Sequence, residues 1–440
     1  MQNVALIVHD TLRKDAFEDH FGWLPGTRFD NARSPSHWTA PVHASMFTGQ
    51  YPSEIGVGRQ SPSLEEPGTV LAELLNEGGY TTRAFSANAF LSRRYDYDRG
   101  FDYFECPLDM MPFNYDVIDF RSVSRKHSGA LKYLKSFSEA ITDDSRIYPT
   151  LQYGLFSFLD SRDVGPSQED AGAKEALQFI RESNFGNSEF LFMNLDEVHG
   201  PYDPPVEYDT IDFTDMPGLS ATMSEECING QLAASAYEDC VRYASDIYEE
   251  MFEVLREDFD FIITLSDHGE LFGKYGVYQH DYGLYPELTH VPVSIYSGSD
   301  AMDRISKTVG LIDIFQTVLS IADISYESRG HSLLNDVNSK LYLSEYHGVP
   351  IESKYAKLCR EYGEEVVAEY DAPLRAIATP DGRYGYETHG EFETEGAAAG
   401  DNLQTQLETI VSDVGYLTRK SGRRETDETV LNHLEDLGYA

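Results

Sequence analysis

The sequence predicts an α/β fold with a doubly wound, mostly parallel sheet flanked by helices, followed by a smaller α+β C-terminal subdomain. Three short apolar runs, at residues 4–8, 190–193 and 261–265, each lead into polar or charged residues. Runs that are apolar at every position are typical of strands buried on both faces. Helical patterns lie between these runs, and this alternation favours a parallel sheet that is covered on both sides.

The helical segments follow from periodic apolar positions. Residues 69–78 predict an amphipathic helix that stops at Gly78 and Gly79. Residues 169–182 and 237–257 predict two further helices. In doubly wound folds, ligands bind beyond the carboxyl ends of the strands. The polar residues that follow the apolar runs are therefore the first candidates for a functional site.

The chain divides by pattern into two parts. We expect a catalytic domain over residues 1–325 and a C-terminal subdomain over residues 326–440. A helical insertion at about 107–165, with its clearest helical pattern at 120–141, is expected near the substrate entrance. Two strands and a closing helix are predicted in the second part, at 341–345, 374–378 and 427–437.

The charge balance excludes several classes of partner. The 440 residues include 75 acidic and 34 basic side chains, which gives a formal net charge of −41. Nucleic acids and anionic membrane surfaces require clustered lysine and arginine, so neither is an expected partner. Molar salt shortens the screening length to about 3 Å. We therefore interpret the acidity as a halophilic adaptation of archaeal type to a high-salt cytoplasm, the alternative being an ordinary acidic cytosolic protein.

Neither a membrane span nor a disulfide framework is expected. The sequence contains no stretch of about 18 apolar residues. The apolar run near the start is too short for a signal peptide and no cleavage motif follows it. The four cysteines have no CxxC spacing, which favours separate thiols over a zinc ribbon or disulfides. We expect a cytoplasmic protein.

Four polar positions carry candidate chemistry, and each also has an ordinary structural interpretation. Asp10 follows the first apolar run, where a carboxylate suits a hard divalent cation but can also cap a helix. Thr39 precedes Pro41 and a helical run, so its hydroxyl is either a simple helix cap or a nucleophile beside the positive end of the helix dipole. Asp267 and His268 follow the third run and either turn toward one metal ion or lie in a solvated loop.

Two further histidines, His199 and His280, are able to bind an oxyanion or donate a proton, although either alone is more often structural. Together, these segments resemble the sulfatase family of the alkaline-phosphatase superfamily in their order and spacing. The resemblance covers nearly the whole chain except residues 107–165 and 350–425. The motifs that carry it are DTLRKD at 10–15, TAPVHASMFTG at 39–49, YPSEIGV at 51–57, HGPY at 199–202, SDHGE at 266–270 and LGY at 437–439.

The resemblance implies an alkaline-phosphatase-like fold and a metal-dependent hydrolase of sulfate or phosphate-type esters. By position, Asp10, Asp267 and His268 would bind a divalent ion, which Asp and His ligands allow to be Ca, Mg, Mn or Zn. Thr39 would be the nucleophile, near the metal ion or bound to it. The expected substrate is a small-molecule, glycan or lipid ester.

The remaining roles implied by the resemblance belong to histidines. His199 and His280 would contact the transferred group or serve the leaving oxygen. His43 stands beside the nucleophile, where most sulfatases have an arginine. Two other positions depart from the family pattern: Thr11 replaces a second metal-binding aspartate, and Asp281 stands where a sulfate-binding lysine is usual.

The nucleophile is the departure with the largest chemical consequence. Thr39 replaces the cysteine or serine that sulfatases oxidise to formylglycine, and because a threonine would oxidise to a ketone, no formylglycine is expected. A sulfated threonine would need water to attack sulfur, whereas a phosphoryl group needs only positioning, metal charge and an in-line water. This chemistry favours phosphodiesters or phosphonate monoesters, while the family likeness favours sulfate esters.

Two other functions compete with an ester hydrolase. The departures at Thr11, Thr39, His43 and Asp281 also fit a catalytically inactive member of the superfamily that only binds an anion or a partner. A phosphomutase of the same superfamily would need a mobile cap domain, for which the insertion at 107–165 is short.

Overall fold

The computed structural model describes residues 1–58, 61–65, 68–115, 153, 170–211, 213, 218–224, 229–334, 337, 340–396 and 402–415. Its strands are β1 (Val4–His9), β2 (Gly26–Arg33), β3 (Thr81–Ser86), β4 (Tyr103–Glu105), β5 (Glu189–Leu195), β6 (Phe261–Ser266), β7 (His290–Val291), β8 (Val293–Tyr296), β9 (Met302–Gly310), β10 (Tyr342–Tyr346), β11 (Leu374–Ala378), β12 (Tyr384–Glu387) and β13 (Phe392–Glu395).

The helices of the described residues are α1 (Lys14–His20), α2 (Thr39–Thr48), α3 (Pro52–Ile55), α4 (Leu71–Glu77), α5 (Met111–Asn114), α6 (Ala173–Glu182), α7 (Leu219–Ser224), α8 (Gly230–Asp258), α9 (Pro286–Thr289), α10 (Asp313–Ile321), α11 (Glu352–Tyr362), α12 (Glu364–Asp371) and α13 (Leu403–Asp413). Among these helices, none combines the length and the apolar composition needed to cross a membrane.

Strands β1 to β9 form one mostly parallel sheet. The order is β4-β3-β5-β1-β6-β8-β2-β7, with β9 beside β2. The central strand β1 pairs in parallel with both β5 and β6, so that Val4 lies opposite Phe190 and Phe261. Strand β8 runs antiparallel to both β6 and β2. The predicted α/β fold with a mostly parallel sheet is confirmed.

Alternate residues of β1 face two different hydrophobic cores. Val4, Leu6 and Val8 pack on one side of the sheet with residues of α2, α4 and α10. Ala5 and Ile7 pack on the other side with residues of α1, α6 and α8. All five side chains are fully buried. Burial on both faces explains why this run is apolar at every position, and it confirms helices on both sides of the sheet.

A second, antiparallel sheet follows, with the order β10-β11-β12-β13. It is hydrogen-bonded to the loop that leads into α2. The Ser36 hydroxyl donates to the Glu345 carbonyl at 2.7 Å, and the Ser344 hydroxyl donates to the Ser34 carbonyl at 2.6 Å. The second sheet therefore holds the start of α2 in place. The smaller C-terminal α+β unit is confirmed, while the division near residue 325 stays a prediction.

The predicted helices differ from the observed ones mainly at their first turns. The helix expected from residue 169 begins at Ala173, because Gly172 has a φ of 111° and cannot continue a right-handed helix. The helix expected from residue 237 begins at Gly230, where the Asn229 side chain accepts from the Leu232 amide and caps it. The predicted helices at 120–141 and 427–437 lie outside the described residues.

The described cysteines agree with the prediction of separate thiols. Cys106, Cys240 and Cys359 form no disulfide, and Cys240 is buried. The fourth cysteine, Cys227, lies outside the described residues.

Candidate active site

The parallel register brings two carboxylates that are remote in sequence to one edge of the sheet. His9, the last residue of β1, pairs with Leu195 at the end of β5 and with Ser266 at the end of β6. The next residue along β1 and β6 is therefore an aspartate on each of two neighbouring strands, Asp10 and Asp267. This edge is where the carboxyl ends of parallel strands open into a crevice.

Asp10, Asp267 and His268 converge into one buried cluster. The His268 Nε2 atom lies 3.6 Å from Asp10 Oδ1 and 3.5 Å from Asp267 Oδ2. One ligand atom from each residue lies within 4.8 Å of the other two. All three residues have no exposed surface. Sequence reasoning predicted this cluster, and the structure places the three side chains together.

Each carboxylate of the cluster has one anchored oxygen. Asp10 Oδ2 accepts from the side-chain amides of Asn88 at 2.9 Å and Asn194 at 3.4 Å. Asp267 Oδ1 accepts from the backbone amides of Thr11 at 3.2 Å and His268 at 2.8 Å. Within the described residues, the other oxygens, Asp10 Oδ1 and Asp267 Oδ2, are buried and accept no hydrogen bond. These two oxygens are the ones that face His268.

The charge states of the cluster fit a divalent cation. Burial, together with the nearby carboxylate of Asp196, raises the pKa of Asp10 to about 6. Burial and the charge of Asp10 raise the pKa of Asp267 well above its ordinary value. Burial lowers the pKa of His268, whose Nδ1 atom donates to the Gly269 carbonyl at 3.1 Å and leaves Nε2 as an acceptor. Two uncompensated carboxylates and a neutral imidazole are a donor set that a metal ion satisfies.

Thr39 begins helix α2 next to this cluster. Its hydroxyl lies 3.3 Å from Asp10 Oδ2 and 3.4 Å from His268 Nε2. The predicted position of this hydroxyl at a helix N-terminus is observed, and Pro41 suits the first turn because its ring fixes φ and needs no amide donor. Every residue of α2 is buried, so the positive end of its dipole acts in a low-dielectric setting.

His199 and His280 lie side by side above the cluster. Their ring centroids are 5.2 Å apart, and the ring of His280 lies 4.5 Å from that of His268. The Nδ1 atom of His199 donates to the Gly200 carbonyl at 2.7 Å. The Nδ1 atom of His280 faces the buried carboxylate of Glu270 at 3.3 Å. The two imidazoles therefore have different partners, a neutral carbonyl and an anionic carboxylate.

The pKa values of these two histidines move in opposite directions. Burial lowers the pKa of His199. Burial also opposes protonation of His280, but the carboxylates of Glu270, Asp281 and Asp10 outweigh it and raise the pKa above its ordinary value. His199 is accordingly the weaker base of the pair and His280 the stronger one.

His43 lies inside the protein rather than in the cavity. It is fully buried, and its Nδ1 atom donates to the Thr39 carbonyl one turn earlier at 2.9 Å. The same atom lies 3.7 Å from Asp267 Oδ2. Burial lowers its pKa to about 3, so the ring is neutral. His43 thus contacts both the first turn of α2 and the back of the cluster.

Thr11 contributes its backbone, not its side chain, to the cluster. Its φ is 57°, a left-handed conformation that is rare for a β-branched residue. The Thr11 hydroxyl donates to the Val198 carbonyl at 2.8 Å, away from the cluster, while its amide donates to Asp267. A ligand is therefore absent at the position where the family pattern has a second aspartate.

A narrow cavity of about 30 Å³ opens beside the Thr39 hydroxyl. Its polar wall contains a lysine that sequence reasoning missed, Lys354 of α11. The Lys354 ammonium lies 2.8 Å from Asp281 Oδ1 and 2.7 Å from Asp281 Oδ2. Although burial opposes ionisation of Asp281, Lys354 and His280 hold the pKa of that carboxyl below its usual value. The residues that line the cavity are Trp38, Thr39, Phe90, His199, Gln279, His280, Asp281, Pro350, Ile351 and Lys354.

Two asparagines of the site were also missed. Asn88 follows the end of β3, and Asn194 is the penultimate residue of β5. Both donate to the same oxygen of Asp10. Their signal was present, since Asn194 stands near the carboxyl end of β5, which neighbours β1, and Asn88 follows β3, the next strand of the sheet. Asparagine at such a place is also common in ordinary turns.

Comparison with known proteins gives a family match and a curated relative. The family model described as Sulfatase matches residues 21–324. The chain is 22% identical over 325 residues to an uncharacterized sulfatase, YidJ, of Escherichia coli (strain K12), a match that covers 68% of this chain and 61% of that protein. The chain thus spans about three fifths of the length of this relative.

Solved structures share the fold over almost the whole chain. A phosphonate monoester hydrolase from Silicibacter pomeroyi is 16% identical, with a TM-score of 0.60 and coverage of 99% of this chain and 96% of that one. The phosphonate monoester hydrolase of Agrobacterium radiobacter is 15% identical, with a TM-score of 0.60 and coverage of 99% and 95%. A protein solved with its substrate D-glucosamine-2-N,6-O-disulfate is 14% identical, with a TM-score of 0.56 and coverage of 94% and 97%. At these identities the likeness concerns the fold alone.

Proposed function

Because the chain belongs to the sulfatase family, we propose that it is a metal-dependent hydrolase that cleaves sulfate or phosphate-type esters with Thr39 as its nucleophile. The observation that carries the proposal is the position of this hydroxyl, within 3.4 Å of both Asp10 and His268. Asp267 completes the cluster, and its unanchored oxygen faces the same imidazole. Residues 10, 39 and 267–268, which together span more than two hundred positions of the sequence, thus converge at one hydroxyl.

Asp10, Asp267 and His268 would hold the divalent cation. When bound, such a cation lowers the pKa of a neighbouring hydroxyl and neutralises the charge of an ester oxyanion. Asn88 and Thr11 orient one oxygen of each carboxylate so that the other oxygen points into the cluster. This arrangement corresponds to the outer hydrogen bonds that fix metal ligands in known sites.

Thr39 attacks the sulfur or phosphorus atom in line with the departing alcohol. A bond forms between its Oγ1 atom and the central atom while the bond to the leaving oxygen breaks. Asp10 Oδ2, 3.3 Å from the hydroxyl, accepts its hydrogen bond, takes up its proton as Oγ1 bonds to the central atom, and returns the proton when water displaces Oγ1. The first turn of α2 presents backbone amides and the positive end of the helix dipole to the anionic group of the substrate.

Each of the two histidines takes part in a different proton transfer. His280, which is paired with Glu270, donates a proton to the leaving oxygen because the carboxylate stabilises its protonated form. His199, held as a neutral tautomer by its bond to the Gly200 carbonyl, accepts a proton from the water that releases the group from Thr39. His43 bonds the Thr39 carbonyl and lies 3.7 Å from Asp267 Oδ2, so it helps to position the first turn of α2 relative to the cluster.

Lys354 supplies a positive charge at the mouth of the site. It belongs to α11, yet its ammonium reaches the cavity that contains Thr39 and His280. The lysine expected next to His280 is replaced by Asp281, and Lys354 lies within hydrogen-bond distance of this aspartate. We propose that Lys354 binds the anionic oxygens of the substrate in place of the missing lysine.

Phosphodiesters and phosphonate monoesters are the substrates that the nucleophile favours. Thr39 cannot form the aldehyde hydrate with which sulfatases expel sulfate. Release of a phosphoryl group from threonine requires only a positioned water and charge stabilisation. Two proteins that share the fold are phosphonate monoester hydrolases, which agrees with this preference.

The test is a side-by-side screen of p-nitrophenyl sulfate, p-nitrophenyl phosphate, bis-p-nitrophenyl phosphate and p-nitrophenyl phenylphosphonate. The assays use molar KCl and Ca, Mg, Mn or Zn. We expect metal-dependent turnover of at least one ester, strongest for the phosphodiester or the phosphonate, and a fall to background in Thr39→Ala. Ser45→Ala is the matched control, because it removes a buried hydroxyl from the same helix without touching the cluster.

A catalytically inactive anion-binding protein is the competing function. It predicts that metal binds and that sulfate or phosphate binds near Thr39, but that no ester of the screen is turned over. Equal rates in the wild type and in Thr39→Ala would contradict the proposal that Thr39 is the nucleophile. Turnover that depends on Thr39 would exclude the inactive alternative.

A further inference from the structure

A second and larger cavity lies apart from the cluster around Asp10. Its volume is about 940 Å³, at the upper end of the range of about 300–1,000 Å³ for small-molecule sites. It is bounded by the segment that follows β6, by α7 and by the second sheet. Six tyrosines dominate its lining: Tyr275, Tyr278, Tyr282, Tyr285, Tyr370 and Tyr386. We call this cavity the tyrosine cleft.

Five of the six tyrosines of the cleft pack ring against ring in two groups. Tyr275 stacks on Tyr285 with ring centroids 4.5 Å apart and an angle of 13° between the rings. Tyr285 in turn meets Tyr386 of β12 edge to face at 5.8 Å. Tyr282 meets Tyr370 edge to face at 5.1 Å. The rings are thereby fixed by their neighbours, so a ligand meets a rigid aromatic surface at little cost in side-chain entropy.

Tyr275 has an exposed side chain and a strained backbone conformation, neither of which packing requires. It is 46% exposed, one of the few large apolar side chains at the surface of the described residues. Its φ is 63°, in the left-handed region that glycine prefers, between Gly273 and Gly276, which also have positive φ. The Lys274 ammonium lies 4.9 Å from the centre of the ring. Strain that holds an exposed aromatic ring in place is typical of binding sites.

The charged groups around the cleft disfavour anionic ligands. The described lining contains no lysine or arginine, and its one acidic residue is Glu393. Lys274, which precedes Tyr275 in the chain, is paired with Glu287. An anionic ligand such as a nucleotide or a phosphorylated peptide therefore finds no charge partner there. A quaternary ammonium ion, which aromatic side chains also bind, is the competing ligand and is an outcome of the test.

We infer that the tyrosine cleft binds the uncharged rings of a carbohydrate. Sugar rings present apolar C–H faces, which stack on aromatic rings, and hydroxyl edges, which need hydrogen-bond partners. Tyrosine supplies both a ring face and a hydroxyl, and the lining adds the polar groups of Thr222, Thr388 and His389. An acyl chain would leave these polar groups without water or partner, which costs free energy.

The cleft and the site of Thr39 share one short segment of chain. Tyr278 and Tyr282 line the cleft, whereas Gln279, His280 and Asp281 between them line the cavity beside Thr39. The Tyr278 amide donates to the Thr222 hydroxyl at 3.2 Å, which ties this segment to α7. Carbohydrate binding in the cleft goes beyond the proposed hydrolysis and does not depend on it.

The test measures binding of neutral hexasaccharides by calorimetry in molar KCl, with hexamers of glucose, mannose, galactose and xylose in their common linkages as probes. We expect saturable binding of at least one hexamer to the wild type. Tyr275→Ala should weaken that binding about tenfold or more, while Tyr275→Phe, which keeps the ring, should stay close to the wild type. Thermal melting checks that each variant is folded.

Thr39→Ala separates this inference from the proposed function, because it should bind the hexamer as the wild type does even when it has lost hydrolysis. Failure of every hexamer to bind the wild type, or equal affinity in the wild type and Tyr275→Ala, overturns the carbohydrate inference. Binding of tetramethylammonium that Tyr275→Ala abolishes, with no hexamer bound, also overturns it. None of these outcomes bears on turnover by Thr39.

Discussion

The ammonium of Lys354 lies 2.7 Å from one carboxylate oxygen of Asp281 and 2.8 Å from the other. The lysine belongs to α11 and the aspartate follows His280, so this ion pair connects the C-terminal part of the chain to the candidate active site. Both side chains are mostly buried, with 13% and 6% of their surface exposed. Removal of either partner therefore leaves the other as a buried, uncompensated charge.

The first prediction follows from this pair. In Lys354→Ala, Asp281 remains as a negative charge at the mouth of the site, so KM for an anionic ester should rise more than kcat falls. Stability should also decrease, by about 3 kcal/mol, because a buried charge loses its partner. The measurement is steady-state kinetics of the best aryl ester, together with chemical denaturation.

A second substitution separates substrate binding from structural damage. Lys354→Ala combined with Asp281→Asn removes both charges and should recover most of the stability. If Lys354 binds the substrate, KM stays high in the double variant. If KM returns to the wild-type value, Lys354 only neutralises Asp281.

The second prediction concerns the metal cluster, where Asp267→Asn should have opposite effects with and without metal. In a chelator, the substitution removes one of two adjacent buried carboxylates, and the melting temperature should rise above that of the wild type. With a saturating divalent ion, the wild type gains about 2.7 kcal/mol at a hundredfold excess over Kd, while the variant gains little. The variant should therefore melt at a higher temperature than the wild type in chelator and at a lower one with the metal ion. Ser45→Ala should follow the wild type in both conditions.

Retention of the full metal-induced stabilisation in Asp267→Asn would show that the ion binds elsewhere. The identity of the ion follows from the same measurement, repeated with Ca, Mg, Mn and Zn. The cluster has one imidazole and two carboxylates, and imidazole binds Mn and Zn better than Ca or Mg.

The sequence was sufficient to predict the cluster because local patterns and one topological rule determine it. Asp10 and Asp267 each follow an apolar run, and parallel pairing of β1 with β6 brings the ends of both runs to one edge. The order of the motifs, through the family resemblance, then predicted Thr39 as the nucleophile. Its distance from Asp10 could not be predicted, because it depends on how α2 packs against the sheet.

Lys354 and Asn88 could not be predicted for a different physical reason. Each acts through a contact between segments far apart in sequence, and neither stands in a motif. Asn88 bonds an aspartate 78 residues away, and Lys354 one that is 73 residues away. His43 was placed correctly beside Thr39, but its neutral, fully buried state depends on the core around α2.

The third prediction is a pH dependence of stability that arises from Glu197. Burial and the neighbouring carboxylate of Asp170 raise the pKa of Glu197 to about 8, from an ordinary value of 4.5. Between these values the folded protein holds a proton that the unfolded chain has lost. Stability should therefore fall as the pH rises from about 4.5 to about 8.

Glu197→Gln should flatten this part of the stability profile. Gln keeps an oxygen that accepts from the Ala173 amide, as Glu197 does at 2.7 Å, but carries no titrating proton. Urea denaturation at several pH values between 4.5 and 8 measures the slope. An unchanged slope in the variant would assign the pH dependence to other groups.

The fourth prediction tests the interpretation of the net charge of −41 as an adaptation to high salt. The last turns of α8 give a local example of repulsion between acidic side chains. Glu249, Glu253 and Glu257 follow each other at intervals of four residues and are exposed, and Glu257 lies in the last turn, where the helix dipole is negative. Such like charges repel each other, and a negative charge in the last turn of a helix is unfavourable.

Substitution of Glu249 and Glu257 by lysine should therefore stabilise the protein at 0.1 M KCl, by about 0.3–1 kcal/mol for each site. The gain should shrink at 1 M KCl, because the screening length falls from about 10 Å to about 3 Å and the repulsion in the wild type is already weakened. The melting temperature of the wild type should itself rise over the same range of salt. The matched control replaces the same residues with glutamine, which removes the repulsion without adding attraction and should give about half of the effect. A melting temperature that does not change between 0.1 M and 1 M KCl in the wild type would show that its acidity is unrelated to salt, whatever the lysine variants do.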